Sequence, residues 1–236
     1  MNDVAVPNKA STVILVREKA PGGFEVLMTR RPQELQFLGG YSVFPGGGME
    51  TADYCDRMLS RCRGLSAAAA QERLGGDMRP DIALGHWVAA VRELFEETGI
   101  HFFVDHDNAD LPPDTHRRLA EKRQELSERR LDLPELLESE ELFCDLAPLT
   151  YLFHRITPEK HKVRFDTRFY LASMPVNQSS LMSSDEVAES LWLAPDVALD
   201  HSQSGALLMM PPTIIALRTL AEHNSWDTLR AKFCLI

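Results

Sequence analysis

Apolar and polar positions in this chain recur with two periods, and the switches between them mark the elements. Ser11 to Val16 is a β-branched and apolar run, as a buried strand requires. The turn signal Ala20-Pro21-Gly22-Gly23 follows, and Phe24 to Thr29 then predicts a second strand, so the two form a hairpin. Tyr41 to Phe44 is short and extended, and stops at Pro45-Gly46-Gly47-Gly48. Thr51 to Arg79 is rich in Ala, Arg, Ser and Gly, with a helix around Ala67 to Ala70. Trp87 to Thr98 predicts a helix, with Gly99 placed to cap its end. His101 to Pro113 has the composition of a loop, and Thr115 to Arg130 is dense in helix formers. Pro134 interrupts, and a helix resumes over Glu135 to Phe143. Val163 to Leu171 alternates as a half-buried strand does, putting Arg164, Asp166 and Arg168 on one face. Leu191 to Leu193 is a further short strand, and Pro211-Pro212-Thr213 opens a helix running to about Glu222.

Strands and helices alternate throughout, which gives an α/β or α+β class. A length of 236 residues, with no repeats and no low-complexity linker, favours one domain carrying inserted helices. The formal charge is −10, which argues against a nucleic-acid partner but leaves room for a local basic pocket. Cys55, Cys62, Cys144 and Cys234 form no CxxC pair and are expected as free thiols. The chain begins Met1-Asn2-Asp3-Val4, without a basic start and apolar stretch, and has no run of about 18 apolar residues. The expectation is therefore no membrane association and a cytoplasmic location.

The chemistry is concentrated in the Trp87–Thr98 helix. At about 100° per residue, Val88, Val91, Leu94 and Phe95 form one stripe, while Glu93, Glu96 and Glu97 cluster nearly opposite. Taken alone, such an acidic face is a solvated helix surface. Two features argue for a site. The carboxylates crowd the C-terminal end of the helix, where the macrodipole disfavours anions, and a glycine-rich stretch lies upstream. Clustered carboxylate oxygens suit a hard divalent ion, Mg²⁺ or Mn²⁺, rather than zinc. No G-x-S-x-G, Walker or H-E-x-x-H pattern competes, and the eight histidines are scattered.

Arg92-Glu93-Leu94-x-Glu96-Glu97-x-Gly99-Ile100 resembles the second half of the Nudix box residue for residue. Gly47, five residues and Asp53 resemble its first half, with Asp where Glu is usual and a long insertion where seven residues are usual. An interrupted box is similar to that of the coenzyme A diphosphatase branch. Leu27-Met28-Thr29 with Gly40 and Phe44-Pro45-Gly46-Gly47 resembles the coenzyme A signature of that branch, departing at Gln36, where Arg is usual, and at Arg31-Pro32. Thr157-Pro158, the Arg164 to Phe169 stretch and Pro211-Pro212-Thr213 also look like that branch.

The resemblance implies an α/β/α sandwich around a mixed sheet, spanning 1–236, with helical insertions at about 54–84 and 105–150. The insertions are read as a cap over the substrate cleft or as a homodimer surface. It implies metal-dependent hydrolysis of a diphosphate linkage in a nucleoside diphosphate derivative, with coenzyme A or an acyl-CoA preferred. ADP-ribose, NADH or another dinucleotide is the alternative substrate, and a non-catalytic nucleotide sensor the alternative of another class. Glu93 and Glu97 are expected as ligands of Mg²⁺ or Mn²⁺, Glu96 as a ligand or the base, Arg92 as orienter of Glu93, and a backbone carbonyl around Gly47 as completing the shell. A second base is sought at Glu186 or Glu189. Arg30, Arg31, Arg164 and Arg168 are the expected phosphate contacts, because guanidinium binds phosphate bidentately.

Overall fold

The computed structural model describes residues 5–75, 77–109, 111–180 and 187–235. The first strand, β1 (Asn8–Lys19), extends well past the apolar run at both ends and pairs antiparallel with β2 (Gly23–Arg30). β3 (Ser42–Val43) continues the sheet beside β2. The glycine stretch expected to stop the chain is itself a strand, β4 (Gly46–Gly48), paired antiparallel to Ala10–Thr12 of β1. Side-chain pattern could not reveal it, since three glycines present no alternation.

A 3-10 turn (Thr51–Tyr54) carries Asp53, and the segment expected as the first insertion holds α1 (Asp56–Leu59), β5 (Cys62–Arg63) and α2 (Ala67–Leu74), which Ser66 caps. The acidic helix α3 (Pro80–Thr98) begins seven residues before the expected start and ends at Gly99, whose φ of +76° favours glycine. β6 (Phe103–Val104) lies in the segment expected as loop, and α4 (Pro113–Ser127) follows. Pro134 does not break a helix: it sits in the first turn of α5 (Leu133–Ser139), behind a capping box in which Asp132 accepts from Glu135 N at 2.8 Å. The chain leaves α5 before Phe143, where β7 (Phe143–Asp145) starts. β8 (Thr150–Ile156), β9 (Phe165–Ser173) and β10 (Glu189–Leu193) complete the strands, and α6 (Pro195–Gln203), α7 (Pro211–Ala221) and α8 (Trp226–Phe233) the helices. Of these, β8, α6 and α8 carry no strong period and were not expected.

The main sheet runs β10-β2-β1-β9-β8, with β3 beside β2 and β4 beside β1, and β1–β9 is its parallel pair. It is mixed and covered on both faces. Val13 and Leu15 of β1 with Tyr170 and Ala172 of β9 pack against Trp87, Val91 and Leu94 of α3. Ile14 and Val16 with Phe169 and Leu171 pack instead against Ala216, Leu217 and Leu220 of α7 and Leu229 of α8. The second sheet, β5-β7-β6, and the inserted helices join the α3-side core through Phe103, Leu119, Leu133, Leu137 and Cys144.

The face of α3 opposite Val91 and Leu94 is not solvated: between Ala83 and Thr98 only Glu96 escapes burial. α2, the 3-10 turn and α4 pack against the helix, and a cleft opens over its acids. Among the described residues no helix is long and apolar enough to cross a membrane. The four cysteines are free.

Candidate active site

The carboxylates of α3 lie under a cleft of about 1490 Å³, larger than the usual drug-sized pocket of about 300–1,000 Å³. Its floor holds Gly46 to Gly48, Arg92, Glu93, Glu96 and Glu97. β4 brings the glycine backbone over α3 because its pairing with β1 leaves it across from the helix. At Gly47 the approach is so close that an added Cβ would stand 2.5 Å from Glu93 Oε2.

One buried guanidinium organises the acids. Arg92 donates through Nε to Asp53 Oδ1 at 2.8 Å and through Nη2 to Asp53 Oδ2 at 3.1 Å. Its Nη1 reaches Glu93 Oε1 at 2.9 Å and Glu96 Oε1 at 3.1 Å, and its Nη2 also meets the Gly48 carbonyl at 2.7 Å. Asp53 is fully buried and its Oδ2 accepts from Glu50 N at 2.7 Å, closing the 3-10 turn. The shorter side chain thus does at position 53 what the sequence left open: it anchors Arg92. Burial raises the Asp53 pKa, against the pull of Arg92. Burial likewise raises Glu93 to about 7, with Arg92 opposing and Glu96 reinforcing, and raises Glu96. Burial disfavours the Arg92 charge, yet Asp53 and Glu93 outweigh it and hold its pKa well above the ordinary value.

An all-oxygen donor set of Glu93, Glu96, Glu97 and the Gly47 carbonyl fits a hard divalent ion, and the space at Gly47 admits only backbone beside Glu93. In the arrangement shown, the cation between Glu93 and Glu96 is Arg92, and among the described residues no three His, Cys, Asp or Glu side chains are gathered as ligands.

The expected phosphate contacts separate. Arg31 lines the cleft, and its Nε is buried without a hydrogen-bond partner among the described residues. Arg30 instead faces Glu189 at 3.5 Å across the β2–β10 pair, away from the cleft lining. Arg164 and Arg168 are turned to the opposite side of β9. Both are buried; Arg164 holds the carbonyls of Thr157 at 2.9 Å and Ala5 at 2.7 Å, and Arg168 pairs with Asp166. The face of β9 on the cleft is that of Val163, Phe165, Thr167 and Phe169. The alternation was read correctly, but with the sheet covered on both sides charge does not mark the open face. Glu186 lies outside the described residues. Sequence reasoning missed other basic residues of the cleft: Lys9 of β1, Arg129 and Arg130 after α4, and Arg155, Lys160 and His161 around the β8–β9 turn. Their only signal in the sequence is local basic charge.

This fold is that of a Nudix domain. The profile described as the NUDT19 Nudix domain matches residues 7–220, and the chain belongs to that family. It is 25% identical over 245 residues to the Gallus gallus acyl-coenzyme A diphosphatase NUDT19, covering 89% of this chain and 64% of that protein. With the Xenopus laevis protein of the same name it shares 24% identity over 230 residues, covering 84% of this chain and 60% of the other. The chain therefore spans less than two thirds of the length of these relatives. The crystal structure of a NUDIX hydrolase from Alicyclobacillus acidocaldarius superposes with a TM-score of 0.74 at 28% identity, covering 96% of each chain.

Proposed function

We propose that this protein hydrolyses the diphosphate linkage of coenzyme A or an acyl-CoA, yielding 4′-phosphopantetheine or its acyl form and adenosine 3′,5′-bisphosphate. The observation that carries the reading is the Asp53–Arg92–Glu93/Glu96 network, set with Glu97 on the floor of a cleft large enough for so long a substrate. The names of the vertebrate relatives support the substrate. Mg²⁺ or Mn²⁺, when bound, neutralises phosphate oxygens and lowers the pKa of bound water.

Glu93 and Glu97 would hold that ion, with the Gly47 carbonyl beside them. Arg92 keeps Glu93 and Glu96 apart and fixed, so that Glu96, the carboxylate of the three least enclosed, can take a proton from the attacking water. Arg31 presents its guanidinium to a phosphate oxygen. The apolar wall of Phe169, Met210 and Ile215 takes the uncharged arm of the substrate.

The test is a mass-spectrometric screen with Mg²⁺ and Mn²⁺ against coenzyme A, acyl-CoAs, ADP-ribose, NADH and dinucleoside polyphosphates. The two expected products from coenzyme A establish the reading, and activity on the other compounds alone overturns it. Glu97→Gln should lower kcat/KM by about 100-fold or more, the scale of a lost charged group in a catalytic site. A folded variant with wild-type turnover would remove Glu97 from the machinery.

A further inference from the structure

The β8–β9 turn lines the cleft, and it is built more firmly than a surface turn needs. Thr157 N donates to Phe165 O at 2.9 Å, and Phe165 N to Thr157 Oγ1 at 3.0 Å. The buried Arg164 guanidinium grips Thr157 O and Ala5 O, while Asn8 N donates to Arg164 O at 2.8 Å. The turn is thereby locked to the start of β1. A buried arginine spent on two carbonyls makes sense if the position of what the turn carries matters.

It carries basic side chains beside an apolar shelf. Arg155, Lys160 and His161 line the cleft there, next to Lys9. Among the described residues, Arg155 and Lys160 make no ion pair within 4.0 Å. The cations at the α3 end differ: Arg129 is paired with Glu50 at 3.0 Å and Arg130 with Glu128 at 2.5 Å. Phe37 and Phe165 lie with ring centroids 5.6 Å apart, and Phe37 is 47% and Val163 51% exposed at this rim. Exposed aromatic surface next to uncompensated positive charge, on a chain of net charge −10, matches a nucleoside that bears a phosphate of its own.

We propose that Lys160 and His161, with Arg155, form a second phosphate subsite, which binds a phosphomonoester on the ribose of the substrate, remote from the linkage that is cleaved. Phe37 and Phe165 support the base beside it. The inference rests on the proposed function only in placing the scissile diphosphate at Glu93, Glu96 and Glu97. The chemistry is shared by a ribose 3′-phosphate and a ribose 2′-phosphate.

Calorimetric titration separates these sources without requiring turnover. Adenosine 3′,5′-bisphosphate, adenosine 2′,5′-bisphosphate and adenosine 5′-monophosphate are titrated into the wild type, the Lys160→Ala/His161→Ala double variant and Lys160→Arg. All three positions of the tip are exposed, and thermal melts verify the fold. One of the two bisphosphates should bind at least tenfold tighter than the monophosphate. The double variant should narrow that ratio to within twofold with monophosphate affinity unchanged, and Lys160→Arg should keep most of it. Equal binding of all three nucleotides, no binding at millimolar concentration, or an equal loss for all three in the double variant overturns the proposal. Turnover of coenzyme A against its 3′-dephospho form keeps the two readings apart. Cleavage of both at equal kcat/KM sinks the subsite and leaves the proposed reaction standing. A lysine-dependent bisphosphate preference in a protein that cleaves neither sinks the reaction and leaves the subsite.

Discussion

Asp53→Asn tests the wiring of the site most sharply. The change preserves shape and removes one charge from a side chain with no solvent exposure. Three donors converge on that carboxylate: Arg92 Nε at 2.8 Å, Arg92 Nη2 at 3.1 Å and Glu50 N at 2.7 Å. An asparagine offers one acceptor oxygen, and its amide nitrogen must then face a donor, so at least one contact turns repulsive. Removing one partner of a buried ion pair costs about 3–5 kcal/mol. Arg92 retains Glu93 and Glu96, which places the loss at the lower end, about 3 kcal/mol. For a chain of this size that is a fall in Tm of roughly 6–12 °C, at about 2–4 °C per kcal/mol. Turnover should drop as well, by about tenfold or more, because the guanidinium that spaces Glu93 from Glu96 loses its anchor. The measurements are a thermal melt and steady-state kinetics on the same preparation. A variant melting within about 1 °C of wild type would refute the argument. Asp53→Glu should also destabilise, by about 1–3 kcal/mol, since it adds a methylene at a fully buried position.

Three further outcomes follow from the same geometry. Gly47→Ala pushes the Glu93 carboxylate aside against its contact with Arg92, so kcat should fall about tenfold or more and Tm should fall with it; unchanged kcat would show that Gly47 does not set the Glu93 position. His86 and His101 are held by burial at about 3, so each binds a proton in the unfolded chain that it refuses in the folded one. Their contribution is fully present above the unfolded pKa of about 6.5 and is lost as pH falls towards 3, by about 2 kcal/mol per histidine between pH 7.5 and 5. Urea midpoints across that range check it, and a His101→Phe variant with an undiminished slope would overturn the share given to His101. Arg164→Ala should lower stability by about 1–3 kcal/mol, the cost of two unmade hydrogen bonds at buried carbonyls, and should raise KM more than it lowers kcat. An equal fall in kcat with unchanged KM would place Arg164 in the chemistry rather than under the turn.

The sequence by itself determined the elements with a strong period and the chemistry that local spacing can carry. β1 and β2 follow from apolar runs on either side of a turn signal, β9 from side-chain alternation and the acidic half of α3 from helical phase, because these patterns express the geometry of single elements. Arg92, Glu93, Glu96 and Glu97 are brought together within two turns of one helix, so their clustering needed no tertiary information. Elements held by partners were another matter. β4 has no side chains to alternate and exists only because β1 supplies its hydrogen bonds. The tertiary structure alone decided which face of each element was open. Packing around α3 turns an apparent solvated stripe into a buried cluster in which Glu93 and Glu96 resist ionisation. The same closure on both sides of β9 sends Arg164 and Arg168 away from the cleft and exposes Phe165 to it. Asp53 and Arg92 are 39 residues apart, and the cations of the β8–β9 turn lie further still along the chain. What joins them is packing across the sheet, and no local period records which distant segment will supply the other half of a contact.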